Sequence, residues 1–189
     1  MATEDIAITL EPALDRVHDV VDATPGTFQE LGLGMVVLIV VITFHGWAMA
    51  RVNATFNREL IRLGDHTPEW RYSLLTAVGI ALLTATHMIE TLIWSVPILG
   101  FGILGNMRDA YYFVMESYTT LGASAIKLPE AWRLLGPVIA ISGLFTFSWT
   151  GSVLVYIVTE TARHQRDVGK KRAKAASNSP SPPDKGKSD

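Results

Sequence analysis

The chain contains no cysteine. That excludes disulfides, thiolate metal sites and cysteine nucleophiles, and it leaves the redox compartment open. Charge is just as scarce in three places. Leu31 to Ala50 is 20 residues without Asp, Glu, Lys or Arg, Tyr72 to Met107 is 36 with Glu90 alone, and Leu134 to Thr159 is 26 with none. A nucleophile-base-oxyanion arrangement and a phosphate-binding loop are also missing, so no enzyme activity, cofactor, bound metal or nucleic-acid partner is expected. The first 30 residues lack a basic leader before an apolar core; they carry Glu4, Asp5, Glu11, Asp15, Asp19, Asp22 and Glu30. No cleavable signal is expected there.

What the chain has in quantity is apolar surface. Hydrophobic residues make up 49% of 189, mean hydropathy is positive, and each charge-poor window reaches the roughly 20 residues that cross about 30 Å of hydrocarbon. Three transmembrane helices are therefore expected. Ahead of them, Ile6, Leu10, Leu14, Val17 and Val21 share one helical face with acids opposite, which predicts a short amphipathic helix in residues 3–22. Packing on a neighbouring subunit and disorder both remain open for it.

Arginines and lysines orient the chain. Arg51, Arg58, Arg62 and Arg71 follow the first window, and Arg163, Arg166, Lys170, Lys171, Arg172 and Lys174 follow the third. The positive-inside rule puts both groups in the cytoplasm and the acidic N-terminus outside the plasma (inner) membrane. Trp47, Trp70 and Tyr72 then fall near the inner interface, with Tyr111, Tyr112 and Trp132 near the outer one. Residues 173–189, rich in Ser, Pro and Lys, are expected to be disordered.

Four ionisable side chains fall in the predicted membrane zone: His45, His87, Glu90 and Glu116. Such residues mark functional sites by default. His87 and Glu90, three apart, share a helix face; they read either as an internal neutralising pair or as a metal or proton site. Residue counting from Arg51 puts His45 and His87 about 13 Å apart in depth, which argues against a haem shared between them.

Between the second and third windows lies Tyr111 to Ala125, too short and too polar to cross a membrane. Such a segment dips in and returns, and irregular backbone at membrane depth is tolerated only where it is buried in protein or lines a wet cavity. Its aromatic first half, then Tyr118-Thr119-Thr120-Leu121-Gly122, Pro129-Glu130 and Trp132-Arg133-Leu134-Leu135-Gly136, resembles the pore loop of bacterial two-helix potassium channels. The usual filter there reads Thr-Thr-Leu-Gly-Tyr-Gly-Asp. This chain keeps the first half and has Ala123, Ser124 and Ala125 in place of Tyr, Gly and Asp.

The resemblance spans roughly residues 72–160 and implies an all-α membrane protein: three transmembrane helices, a re-entrant pore helix with a filter-like loop, and a tetramer. It implies an ion pathway at Thr119, Thr120, Leu121, Gly122, Ala123, Ser124 and Ala125, supported by Glu116, Tyr112, Phe113, Tyr118 and Trp132. Similar channels carry a His-x-x-Glu followed by Trp, matched by His87, Glu90 and Trp94, which favours the neutralising reading of that pair. The transported ion would be potassium or sodium, with weak or altered selectivity, because the replaced residues build the outer sites. The expected division is an outer N-terminal helix at 1–30, a first span at 31–51, a cytoplasmic linker at 52–71, a pore domain at 72–160 and a basic tail at 161–189. The bilayer and identical copies are the expected partners, with hetero-oligomers another. Two further readings stay open: a non-conducting structural or regulatory subunit, and a membrane metal- or proton-handling protein built on His45, His87, Glu90 and Glu116.

Overall fold

The structure, a computed structural model, describes residues 25–64, 67–122 and 126–178. Four α-helices follow in order among them: α1 Pro25–Arg62, α2 Glu69–Gly100, α3 Met107–Tyr118 and α4 Leu135–Ser177, with a 3₁₀ turn at Glu130–Trp132. The chain is all-helical there, and α1, α2 and α4 are each long and apolar enough to cross a membrane. Helix α3, with 12 residues, reaches only about 18 Å. The amphipathic segment 3–22, Ala123, Ser124 and Ala125, and the tail past Asn178 lie outside the described residues.

Helix ends depart from the charge-based boundaries. Helix α1 runs to Arg62, so most of the arginine-bearing stretch expected as a linker is helix and only 63–68 joins α1 to α2. Helix α4 runs to Ser177, so Ala173 to Ser177, expected to be disordered, is helical. Lys, Arg and Ala are good helix formers, and an apolar window marks where lipid ends, not where a helix must.

The chain divides into two compact units, each built from segments of the same three long helices. The first takes residues 25–45, 88–122 and 126–146. Its core is Val37, Val41, Trp94, Ile98, Ala110, Val114, Tyr118 and Ile139, with Phe113 at its edge. Gly34 lets α1 approach α4, where an added Cβ would meet Val138 at 3.3 Å. Beside that apolar core the unit encloses polar side chains and shows apolar ones: His45, Glu90, Ser95, Ser142 and Thr146 are fully enclosed, while Val36, Val96 and Phe145 are more than half exposed. That inversion suits a protein solvated by lipid, where ionisable groups turn to the bundle interior.

Glu30, buried on α1, reaches the start of α4, accepting from the Leu134 amide and from the Leu135 amide at 3.0 Å. The first amides of a helix have no internal partner, and a carboxylate there also meets the positive end of the helix dipole. Glu30→Ala is expected to destabilise the fold by about 1–2 kcal/mol and Glu30→Gln by less, read by denaturant titration in detergent micelles. Equal stability of all three proteins would remove the cap from the account.

The second unit takes residues 46–64, 67–87 and 147–178, around Met49, Phe56, Leu60, Tyr72, Leu83, Val153 and Ile157. Gly46 admits the Trp149 ring, 3.1 Å from where a Cβ would sit. The basic end of α4 folds back on the α1–α2 turn: His164 Nε2 is 3.1 Å from the Leu63 carbonyl, and Arg172 donates to the Thr67 carbonyl at 3.0 Å. These contacts hold the end of α4 in place beyond its apolar stretch.

Candidate functional site

Helix α3 starts cleanly. Asn106 caps it, its side-chain oxygen accepting from the Asp109 amide at 2.9 Å while its amide group donates to the Asp109 carboxylate at 2.7 Å. Just before it, α2 ends in a paired closure in which Ile103 N bonds Ile98 O and Gly102 N bonds Leu99 O, both at 3.0 Å, with Gly102 at φ 67. Glycine is the usual residue at that left-handed position.

The far end of α3 repeats this closure with a different residue. Leu121 N bonds Glu116 O at 2.9 Å and Thr120 N bonds Ser117 O at 3.0 Å, and Thr120 stands at φ 58 where α2 has glycine. A left-handed β-branched residue costs roughly 1–2 kcal/mol, so the surroundings must hold it there. Gly122 follows at φ 62. Thr119, Thr120, Leu121 and Gly122 are all exposed, Leu121 by 68%.

What holds this end is Tyr118. A Cβ built on Gly143 would overlap the Tyr118 carbonyl oxygen and come within 2.9 Å of its carbon, so α3 and α4 touch backbone to backbone. Gly143 lies eight residues into α4, about 12 Å from its start. The end of α3 therefore lies alongside α4, with the turn at Thr119–Gly122 following it.

The Tyr118 hydroxyl donates to Glu90 Oε2 and also meets Thr146 Oγ1 at 2.5 Å. Glu90 Oε1 faces His45 Nδ1 at 2.6 Å, and all three side chains are buried. An ionised Glu90 accepts from both neighbours: from His45 if the ring carries its proton on Nδ1, and from the Tyr118 hydroxyl. Thr146 is bonded in turn to the Ser142 and Gly143 carbonyls, each at 3.1 Å, and Ser142 Oγ accepts from Trp94 Nε1 at 3.2 Å. One polar chain thus ties α1, α2, α3 and α4 behind the turn.

The other expected support residues fall at separate places, except that Tyr112 lies beside Glu116. Phe113 packs against Gly136, Trp132 stacks near Phe101 with ring centres 6.1 Å apart, and Tyr112 is half exposed. Glu116 is buried, and neither carboxylate oxygen has a partner at hydrogen-bond geometry among the described residues. His87 lies against Phe147, ring centres 4.6 Å apart. The expected pairing of Glu90 with His87 left out the cross-helix partners, His45 and Tyr118.

The depth difference between His45 and His87 also needs correcting. His45 faces Glu90, and His87 lies only three residues, about 4.5 Å, from Glu90 along α2. Counting had taken Arg51 as the inner end of α1, which runs on to Arg62. No local pattern links position 45 to position 90; the only hint was that each is an ionisable residue in an apolar run. No family model, curated protein or solved structure matches this chain.

Proposed function

We propose that this chain is the pore-forming subunit of a potassium-channel-like membrane protein that conducts monovalent cations with weak or altered selectivity. The observation that carries the reading is the turn at Thr119–Gly122, set about 12 Å along α4 by the Tyr118–Gly143 contact and exposed to the outside of the single chain. Exposed backbone at that depth in a lipid-solvated protein needs partners, because hydrocarbon supplies none. Identical copies meeting about an axis supply them, and four turns then enclose one ion as no single turn can. The negative end of each α3 dipole points at the same place.

In this reading the protein sits in the plasma membrane with its N-terminus outside and its C-terminus cytoplasmic. Thr119 to Gly122 line the inner ion sites and Ala123 to Ala125 the outer mouth. Glu116 stands behind the turn, and no resident cofactor takes part. The same residues motivate a second reading, a non-conducting subunit that keeps the architecture: Ala123, Ser124 and Ala125 supply neither the glycine flexibility nor the ring and carboxylate of the resembled filter.

Purified protein in liposomes distinguishes the two. Flux of both potassium and sodium above an empty-liposome control, with a reversal potential near zero under opposing gradients, is the expected result, and the detergent-solubilised protein should have the mass of four copies. The joint change Ala123→Tyr, Ser124→Gly and Ala125→Asp is expected to raise potassium discrimination, with any single change doing less. Strong potassium selectivity in the natural sequence overturns the altered-filter reading. A stable monomer or an absence of flux overturns the pore.

A further inference from the structure

The polar chain behind the turn includes a histidine that an ion pathway does not require. His45 is enclosed on α1, its Nδ1 2.6 Å from Glu90 Oε1. The other Glu90 oxygen holds the Tyr118 hydroxyl, and Tyr118 is the last residue of α3 before Thr119. We propose that His45 and Glu90 form a buried proton-binding site whose occupancy sets how firmly Tyr118, and through it Thr119–Gly122, is held. The inference rests on the pore reading for its consequence in conduction but not for the site itself.

The chemistry is a competition for one carboxylate. With the pair unloaded, an ionised Glu90 receives a neutral ring and the Tyr118 hydroxyl, and a hydrogen bond to an ionised acceptor is about twice as strong as one between neutral groups. A proton taken from solvent onto the ring cancels the net negative charge of the pair. The carboxylate facing Tyr118 then shares its electron density with a cationic donor and holds the hydroxyl less tightly.

Thr146 remains as an alternative partner for that hydroxyl at 2.5 Å, so Tyr118 can relax toward α4 without being stranded. The same backbone carries Thr120 at φ 58, a conformation maintained only by what surrounds it. Weakening its anchor is therefore felt in the turn. Among the described residues the titratable groups near the pair are few. Helix α1 brings His45, α2 brings Glu90 with His87 one turn before it, α3 brings Tyr118 with Glu116 two residues earlier, and α4 brings the non-titrating Ser142 and Thr146. Histidine is the side chain whose ordinary titration falls between about pH 5 and pH 8, the range over which the site is tested.

Because the chain has no cysteine, Leu121→Cys offers a single labelling position at the exposed tip of the turn. The protein so labelled with a nitroxide, and the unlabelled protein with isotope-enriched histidine, are followed in lipid vesicles between about pH 5 and pH 8. The label is expected to become more mobile as pH falls, in one sigmoidal step with the midpoint of the His45 ring signal. His45→Gln should abolish the step, and Tyr118→Phe should leave the His45 titration in place while uncoupling the label from it. A label signal independent of pH, or a step that survives in His45→Gln, overturns the proposal, and neither outcome depends on conduction. Flux measured in parallel should change with the same midpoint. If the label responds as expected but no ion crosses at any pH, the proton site stands and the pore reading fails.

Discussion

Gly143→Ala is expected to unseat α3 and remove ion flux, with a loss of stability of about 1–3 kcal/mol or more. The new methyl group would overlap the Tyr118 carbonyl oxygen and lie 2.9 Å from its carbon. The obstacle is backbone, not the end of a flexible side chain, so it cannot swing aside; either α3 moves outward or α4 bends. In both cases the turn at Thr119 shifts and the Tyr118 hydroxyl loses its alignment with Glu90. Gly151, on the same helix with nothing within 4 Å of an added Cβ, is the control. There alanine should be neutral or stabilise by up to about 1 kcal/mol through helix propensity. Amide hydrogen exchange across residues 107–118, with denaturant titration in micelles, separates the two. Similar behaviour of both variants would mean that α3 does not rest on Gly143.

Glu90→Ala carries the second large effect. It takes the acceptor away from two buried donors at once, the His45 ring and the Tyr118 hydroxyl. Each buried polar group left without its partner costs about 1–3 kcal/mol. Glu90→Gln keeps an acceptor oxygen and the volume of the side chain, and the loss should fall to about 1–2 kcal/mol, the range of a hydrogen bond that changes from charged to neutral. The order expected in denaturant titration is wild type, Glu90→Gln, then Glu90→Ala. Thr146→Val should fall near Glu90→Gln, since the hydroxyl it removes bonds Tyr118 and otherwise only the carbonyls of its own helix. A Glu90→Ala protein as stable as wild type would show that the polar chain does not hold the four helices together.

Three helices long and apolar enough to cross a membrane were legible in the chain by itself because their signal is local. Twenty or more residues without charge carry their own reason to be helical in lipid, where every backbone group must bond within its segment. A short helix before Thr119 was expected from the resemblance, and α3 ends there at Tyr118. Charge alone misplaced the ends of α1 and α4, since positive residues mark the membrane boundary while a helix continues as long as it has something to pack against, as His164 and Arg172 do on the α1–α2 turn. Only the tertiary structure decided the partner of Glu90. A residue three positions away on the same helix is the visible candidate, whereas the bonds to His45 and Tyr118 join residues 45 and 28 positions away in the chain. Nor could Gly143, one glycine among 15, be read from sequence as the seat of Tyr118. Its importance lies in the absence of a side chain where another backbone passes, and that exists only once the helices are packed.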